Sequence, residues 1–349
     1  MEFAEWRSRF ATAFCGRPGL RLLSFGHGIA RAVQRAVVAT FKGIILNGVF
    51  VAVIAHAIIG ASLVWDKALL QKKGTQNLVA YVFWLGAISV FGLFLIPFGF
   101  SMPPWKIAAT GFSAGVVDLI ASYFYYAALK AGEASDELAA MGGFAPVATA
   151  LLSVPFLRSP LGNHMTGFIL LTAGGFVMFF AEKKPMRQML PGIAAASVCF
   201  GLTNVLQKIT FNGADFISGY VFFTLGTTAG ALALLIPPSW RRQIFEESEE
   251  APPRSRFWYM VNRFSAGIGS FLVVFAVSRT RPALVEAISG VRYVVIFIGA
   301  YAITKLKPSW FTEDFSRWVL VAKIAATSLI LAGLVLAAME GATTSSGPA

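Results

Sequence analysis

Ten apolar segments follow one another along the chain, and each is close to the length that crosses a membrane. A helix rises about 1.5 Å per residue, so about 20 residues cover the roughly 30 Å hydrocarbon core of a bilayer. With 56% hydrophobic and only 13% charged residues, the chain is unlike soluble domains, which carry about 25% charge. The sequence therefore predicts an all-α integral membrane protein with ten transmembrane helices. The predicted spans are Gly43 to Val64, Leu78 to Phe100, Ile107 to Leu129, Leu138 to Leu157, Met165 to Ala181, Leu190 to Gln207, Phe216 to Ile236, Trp258 to Ser278, Pro282 to Thr304 and Trp318 to Met339.

The ten spans are predicted to form two repeats of five helices each. Residues 43–181 make up the first repeat, and residues 182–339 make up the second, which includes a polar linker at residues 237–257. A basic arm, residues 1–42, precedes the repeats, and a disordered tail, residues 340–349, follows them. The letters Phe-Ser-Ala-Gly occur once in each half, at Phe112 to Gly115 and at Phe264 to Gly267. Because five is an odd number, the halves enter the membrane from opposite sides, which predicts inverted repeats with a substrate site near the midplane.

Asp118 is the one charged residue of the segment Ile107 to Leu129, and it lies near the middle. A carboxylate at that depth costs about 2.5 kcal/mol or more on insertion scales, which indicates a functional or internally paired group. Arg292, in the ninth span, is the predicted partner. Such a pair would serve either as a coupling site or as a purely structural salt bridge. In the second repeat Ser270 aligns with Asp118, so the sequence predicts an asymmetric site between the two halves.

Further polar residues are predicted to share this site. His56 lies deep in the first span, where it is either a proton-coupling group or a neutral, hydrogen-bonded histidine. Glu286 either faces the mouth of the cavity or stands at a solvated helix start. Asn204, Asn262 and Arg263 are predicted to line the same cavity.

Several tyrosines are candidates for an aromatic wall that would contact an organic cation or ring. Packing and placement at the membrane interface are the alternatives, because aromatic residues are common in both places. The candidates are Tyr123, Tyr125, Tyr126 and Tyr293.

The chain resembles the drug/metabolite transporter superfamily, in the ten-helix EamA-like branch related to the small multidrug resistance exporters. The likeness rests on a glycine-bearing first helix that ends in lysine, Gly60 to Lys67, and on its partner in the second half, Gly201 to Lys208. Two helix junctions, Tyr125 to Leu152 and Phe275 to Gly299, add to it. The small multidrug resistance exporters have a glutamate three residues before the glycine. Here Ala57 and Val198 occupy that position, so proton coupling through this glutamate is not supported.

The resemblance implies a secondary transporter that exports a small organic drug or metabolite by alternating access. A flippase for a lipid-linked sugar is the alternative within transport. An intramembrane enzyme is disfavoured, because the chain has three histidines and no His-Glu-x-x-His motif. No cofactor is predicted, and no Cys/His spacing suggests a metal site. The net charge of +12 is explained by contact with anionic lipid headgroups, so no nucleic-acid partner is predicted.

The expected partners are a small-molecule substrate, membrane lipid and, as an open alternative, a coupling proton or ion. The motifs Gly111-xxx-Gly115 and Gly226-xxx-Gly230 permit close helix packing, which is expected within a monomer. The predicted location is a cell membrane, the bacterial inner membrane in particular, with the chain crossing it several times.

Overall fold

The computed structural model of the chain describes residues 48–70, 77–131, 134–157, 164–181, 190–250, 253–306 and 317–345. Within these ranges every regular element is a helix, and none is a β-strand. The predicted all-α fold class is confirmed. The basic arm predicted at residues 1–42 lies outside the described residues.

The described part of residues 43–181, the predicted first repeat, contains five α-helices and one 3₁₀ helix, Ser89–Phe98. The α-helices are α1 (Gly48–Leu70), α2 (Leu78–Ile88), α3 (Trp105–Ala131), α4 (Ala134–Ser153) and α5 (Met165–Ala181). Asn77 caps α2, because its side chain accepts hydrogen bonds from the backbone N–H groups of Val79 at 2.9 Å and Ala80 at 3.2 Å. The second predicted span then continues as a 3₁₀ helix, Ser89–Phe98. Gly99 ends it with a φ of 129°, a value that residues with a Cβ rarely adopt.

The predicted second repeat begins at residue 182, and seven helices are found among the residues that the structure describes from there to Ser345. They are α6 (Leu190–Gly213), α7 (Phe216–Ala233), α8 (Pro238–Glu250), α9 (Pro253–Arg279), α10 (Pro282–Ile288), α11 (Gly290–Leu306) and α12 (Arg317–Ser345). The ninth predicted span is thus broken at Ser289 into α10 and α11. The last helix continues to Ser345, past Met339 where the sequence predicted its end.

Asp215 fixes the corner between α6 and α7. Its carboxylate accepts hydrogen bonds from the backbone N–H of Ser218 and from the hydroxyl of Ser101, both at 2.9 Å. Partial burial by itself would raise the pKa of Asp215. The hydrogen bonds from Ser218 and Ser101 have the larger combined effect, so the pKa of Asp215 is below its ordinary value. The cap therefore keeps its charge and also holds the loop before α3.

Eight helical segments are long and apolar enough to cross a membrane, as judged over the described residues. The other two predicted spans correspond to α4 and α5, whose apolar parts are shorter, Gly143–Ser153 and Met165–Val177. In α4 the reason is visible in the sequence, because Asp136 and Glu137 lie in its first turns. The chain is a multi-pass membrane protein.

The polar linker at residues 237–257 contains helix α8. Proline is tolerated in the first turn of a helix, so the prolines near its two ends bound α8 without preventing it. Ile244 is fully buried, and the rings of Phe245 and Phe83 lie 6.4 Å apart between centroids. The amide of Asn77 also donates to Oε1 of Gln243 at 3.3 Å. Helix α8 therefore packs against the start of α2.

Equivalent helices of the two predicted repeats make matching contacts. Helix α1 packs on α9 as α6 packs on α3, and α1 packs on α11 as α6 packs on α4. The fifth helix of each repeat, α5 and α12, pack on each other. This exchange of partners is expected of two repeats related by a twofold axis.

The two Gly-xxx-Gly motifs meet at one crossing between α3 and α7. A Cβ on Gly115 would overlap the carbonyl oxygen of Phe223 and lie 2.6 Å from the backbone nitrogen of Thr227. A Cβ on Gly226 would overlap the carbonyl oxygen of Phe112. The motifs therefore serve packing between two helices of the same chain, and they bring the two helix backbones into direct contact.

Substituting alanine for Gly115 is expected to lower the melting temperature of the protein in detergent micelles. The added methyl group must push α3 away from α7, and overpacking of this kind costs about 1 to 3 kcal/mol. Gly267 is the matched control, since it ends the same Phe-Ser-Ala-Gly in the second repeat and has no atom within 4 Å of a Cβ. Gly267→Ala should leave stability unchanged or raise it by up to about 1 kcal/mol, because alanine is the better helix former. Equal effects of the two substitutions would contradict this account.

Candidate functional site

A cavity of about 450 Å³ lies between the two repeats, within the size range of small-molecule sites. Its apolar walls come from both halves and include Ile59, Leu63, Phe200, Phe223 and Phe271. Four charged side chains reach it. They are Asp118 from α3, Arg263 from α9, Glu286 from α10 and Arg292 from α11.

Asp118 lines this cavity, and the structure shows no hydrogen bond or ion pair between its carboxylate and any other described residue. Arg292 lies near enough to interact electrostatically with Asp118, but the two do not form the predicted direct salt bridge. Arg292 instead donates from Nε to Nδ1 of His56 at 2.9 Å. The choice of hydrogen-bond partner for Arg292 depended on which acceptor α11 meets.

His56 connects α1 to the broken ninth span and is fully buried. Its Nε2 lies 2.9 Å from the carbonyl oxygen of Val285, which can only accept a hydrogen bond. Nε2 therefore carries the proton, and Nδ1 accepts from Arg292, so the imidazole is neutral. In this arrangement His56 positions the guanidinium of Arg292, while proton coupling through His56 stays a prediction.

Glu286 lies inside the protein, with 6% of its surface exposed. The alternative of a solvated helix start is therefore wrong, because the residues of the short helix α10 are all buried. Nδ2 of Asn204 donates to Oε2 of Glu286 at 2.8 Å. The structure thus brings together Asn204 and Glu286, both predicted site residues, at the wall of the cavity.

The tyrosines divide into two groups. Tyr125 and Tyr126 line the cavity, as does Tyr220, which the sequence analysis did not select. Tyr123 and Tyr293 are not among the lining residues. Tyr123 has its ring 5.7 Å from that of Phe124, and Tyr293 is buried at 4% exposure. Successive residues on a helix point 100° apart, so only some tyrosines of a cluster can face one cavity.

A buried ion pair that the sequence analysis missed adjoins the cavity through Arg263. Nη2 of Arg263 on α9 donates to Oδ1 of Asp66 on α1, and the two side chains are 3% and 1% exposed. The hydroxyl of Tyr81 on α2 and the amide of Asn262 also donate to Oδ1 of Asp66. Nη1 of Arg263 donates to the hydroxyl of Tyr126 on α3 at 3.0 Å.

Aromatic rings surround the Arg263 guanidinium. Its central carbon lies 5.0 Å from the ring centre of Tyr81, 5.5 Å from that of Tyr259 and 5.8 Å from that of Tyr126. These distances are within the range of cation–π contacts. We call Asp66, Arg263, Tyr81, Tyr126 and Tyr259 the end cluster, which ties α1, α2, α3 and α9 together.

The sequence contains a signal for the end cluster that is easy to misread. Asp66 precedes Lys67 at the end of an apolar run, which is also the pattern of a charged helix end at the membrane surface. In the structure α1 continues to Leu70, so Asp66 lies inside the helix. The partner, Arg263, follows about 200 residues later, and local periodicity does not relate the two.

Residues 46–181 match the EamA-like transporter family. The first repeat is an EamA-like transporter domain. Over these residues the match confirms the resemblance to the drug/metabolite transporter superfamily and supports a membrane transporter of small solutes. Among the curated proteins no match was found. A crystal structure of a protein with 18% identity covers 86% of this chain and 98% of its own, with a TM-score of 0.56, and this likeness shows the fold alone.

The EamA-like domain and its counterpart differ from the small multidrug resistance exporters at the glutamate position. Val198, which replaces the glutamate in α6, has 51% of its surface exposed. Neither Ala57 nor Val198 lines the cavity. The acidic groups that do reach it, Asp118 and Glu286, come from α3 and α10.

Proposed function

We propose that the protein is a secondary transporter that exports a small organic solute by alternating access, with the central cavity as its binding site. The main support is the position of Asp118, which lines the cavity and forms no direct hydrogen bond or ion pair with another described residue. A carboxylate held there without a protein partner is unfavourable unless it has a use. A bound solute or coupling ion would provide the missing partner.

The polar groups around the cavity favour a solute with a charged or polar group and an apolar body. Arg292 brings positive charge, while Asp118 and Glu286 bring negative charge. Oγ1 of Thr203 and Oε1 of Gln207 are buried lining atoms without a hydrogen-bond partner. Unpaired buried polar atoms are rare in folded proteins, so their presence here supports a ligand-binding role.

The end cluster is the candidate gate for alternating access, because Arg263 and Tyr126 belong both to the cluster and to the cavity wall. It lies where α1 ends and α2 begins, and the lining residues continue from Arg263 past Asp118 to Leu95 and Val274. In the proposed cycle the helices that carry the cluster separate, and the opposite end of the cavity closes. The sequence has no Walker A motif, so the energy would come from an ion gradient or from the solute's own gradient.

Ligand binding and counterflow together test this proposal. Thermal-shift screening of the purified protein against cations, amino acids, nucleosides and lipid-linked sugars identifies ligands, since a ligand of the folded state raises its stability. A hit is then labelled, and its uptake is followed in proteoliposomes preloaded with the unlabelled compound. We expect uptake above that of protein-free liposomes. Hits that bind but never show counterflow would contradict a transporter.

A lipid-linked sugar among the hits would favour the flippase alternative. In that case counterflow would be replaced by movement of the headgroup from one leaflet to the other. A quencher confined to one side of the liposome, used with a fluorescent headgroup, distinguishes the two outcomes.

A further inference from the structure

The two copies of Phe-Ser-Ala-Gly have opposite surroundings. In the first repeat, Gly115 of α3 is in backbone contact with α7, so that this side of the bundle is sealed. In the second repeat, Gly267 of α9 is exposed and has no atom within 4 Å of a Cβ. By the repeat symmetry, the helix that should cover Gly267 is α2 with its 3₁₀ extension. The helix contact that covers Gly115 in the first half is therefore absent at Gly267 in the second half.

The 3₁₀ helix Ser89–Phe98 forms one edge of this opening. It has no buried residue, whereas α2 directly before it has six. One side of it packs on α7, where a Cβ on Gly92 would lie 2.5 Å from Thr224 Cγ2. On the other side the ring of Phe91 lies 5.5 Å from the ring of Phe264 on α9. A 3₁₀ helix of this length is uncommon, and such stretches often mark hinges.

The residues at the opening belong both to the outer surface and to the cavity. Phe91, Phe264 and Ile268 are 45%, 50% and 58% exposed, and all three line the cavity together with Gly267. We call these four residues the portal. Gly267 lies near the middle of the span Phe257–Arg279, so the portal faces the hydrocarbon core of the bilayer.

We propose that the portal admits the alkyl or acyl chain of a membrane-dissolved amphiphile, whose polar headgroup then lies beside Asp118. This inference rests on the proposed transport function and names the class of solute. Hydrocarbon chains surround the protein at this depth, and the portal and the cavity walls behind it are apolar and aromatic. The charged groups lie deeper, at Asp118, Glu286 and Arg292. A solute with one apolar chain and one polar head matches this order.

Photolabelling from the bilayer tests the portal without requiring transport. The full chain is placed in nanodiscs that contain a phosphatidylcholine with a diazirine at the end of one acyl chain, and adducts are mapped by mass spectrometry. Phe223 is the inner reporter, since it lines the cavity and is 5% exposed. Leu232, on the same helix and 55% exposed, is the outer control. We expect adducts at both residues.

Two variants close the portal in different ways. Gly267→Trp fills it, and Leu331→Trp on the exposed face of α12 is the matched control. Phe91→Cys/Phe264→Cys, made with Cys15→Ser and Cys199→Ser, is bridged by a short bifunctional thiol reagent and compared with the same protein before bridging. Labelling at Phe223 should be lost in Gly267→Trp and after bridging, while labelling at Leu232 stays unchanged.

Adducts at Leu232 without adducts at Phe223 in the unmodified protein would overturn the portal. Persistence of the Phe223 adduct after bridging would overturn it as well. The proposed transport function fails separately, in counterflow. Labelling at Phe223 without counterflow would support the portal and contradict the transport function. Counterflow without labelling at Phe223 would support the transport function and contradict entry from the lipid side.

Discussion

Replacing Asp66 with asparagine is expected to lower the free energy of unfolding by about 3 to 5 kcal/mol, because it leaves the Arg263 guanidinium buried without a counter-charge. Arg263→Gln should cause a loss of similar size, since it leaves the Asp66 carboxylate unpaired. The double variant should lose much less than the sum of the two, because neither charge then remains. Thermal and denaturant unfolding in detergent micelles measure all three.

The exposed pair between Arg242 and Glu246 provides the matched control. Its Nε to Oε1 distance is 2.7 Å, but the side chains are 76% and 60% exposed. Exposed pairs at this helical spacing contribute about 0.3 to 0.5 kcal/mol, so Arg242→Gln should change stability little. If Asp66→Asn were no more harmful than Arg242→Gln, the end cluster would not hold α1 and α9 together.

Asp118→Asn is expected to reduce counterflow at least tenfold and to leave the protein as stable as before or more stable. Asparagine keeps the size of the side chain and removes a charge that costs about 2.5 to 3.5 kcal/mol at the centre of a membrane. Loss of transport corresponds to losing the interaction with the solute or coupling ion, and each tenfold step is about 1.4 kcal/mol. Melting temperature and counterflow are measured on the same preparations.

Glu246→Gln makes the same chemical change at an exposed helix position, where its carboxylate is 60% exposed, and should leave both quantities unaltered. Transport that persists in Asp118→Asn would remove Asp118 from the mechanism. Reduced stability in that variant would indicate a structural role instead. Asp66→Asn should have the opposite effect on stability, because Asp66 forms a direct buried ion pair and Asp118, among the described residues, does not.

Which neighbours each polar side chain meets depends on the rotation of its helix about the helix axis and on the residue at which the helix ends. The sequence selected Asp118, Glu286, Arg292, His56 and Asn204. The structure places four of them at the cavity wall, and the fifth, His56, accepts a hydrogen bond from Arg292. The sequence did not predict which of these side chains hydrogen-bond to each other. A guanidinium has several donors, and its partner is whichever acceptor the packed helices bring near.

The comparison of the two repeats also separates what the sequence predicts from what depends on packing. The Phe-Ser-Ala-Gly copies align Gly115 with Gly267 and Asp118 with Ser270, and this predicts related helices with unequal chemistry. It does not predict that α7 seals one copy while the 3₁₀ helix leaves the other open. That difference depends on how the second span ends, in a 3₁₀ helix that contains Pro97 and stops at Gly99.

The sequence by itself determined that the chain is a helical membrane protein with two related halves, because hydrocarbon requires long apolar helices whose backbone groups are satisfied internally. Composition and span length are local properties, and they can be read along the chain. Only the tertiary structure decided that Asp66 neutralises Arg263, that Arg292 is held by His56, and that Asp118 is left facing the cavity. Those contacts join residues far apart in sequence, and packing of the two halves sets them.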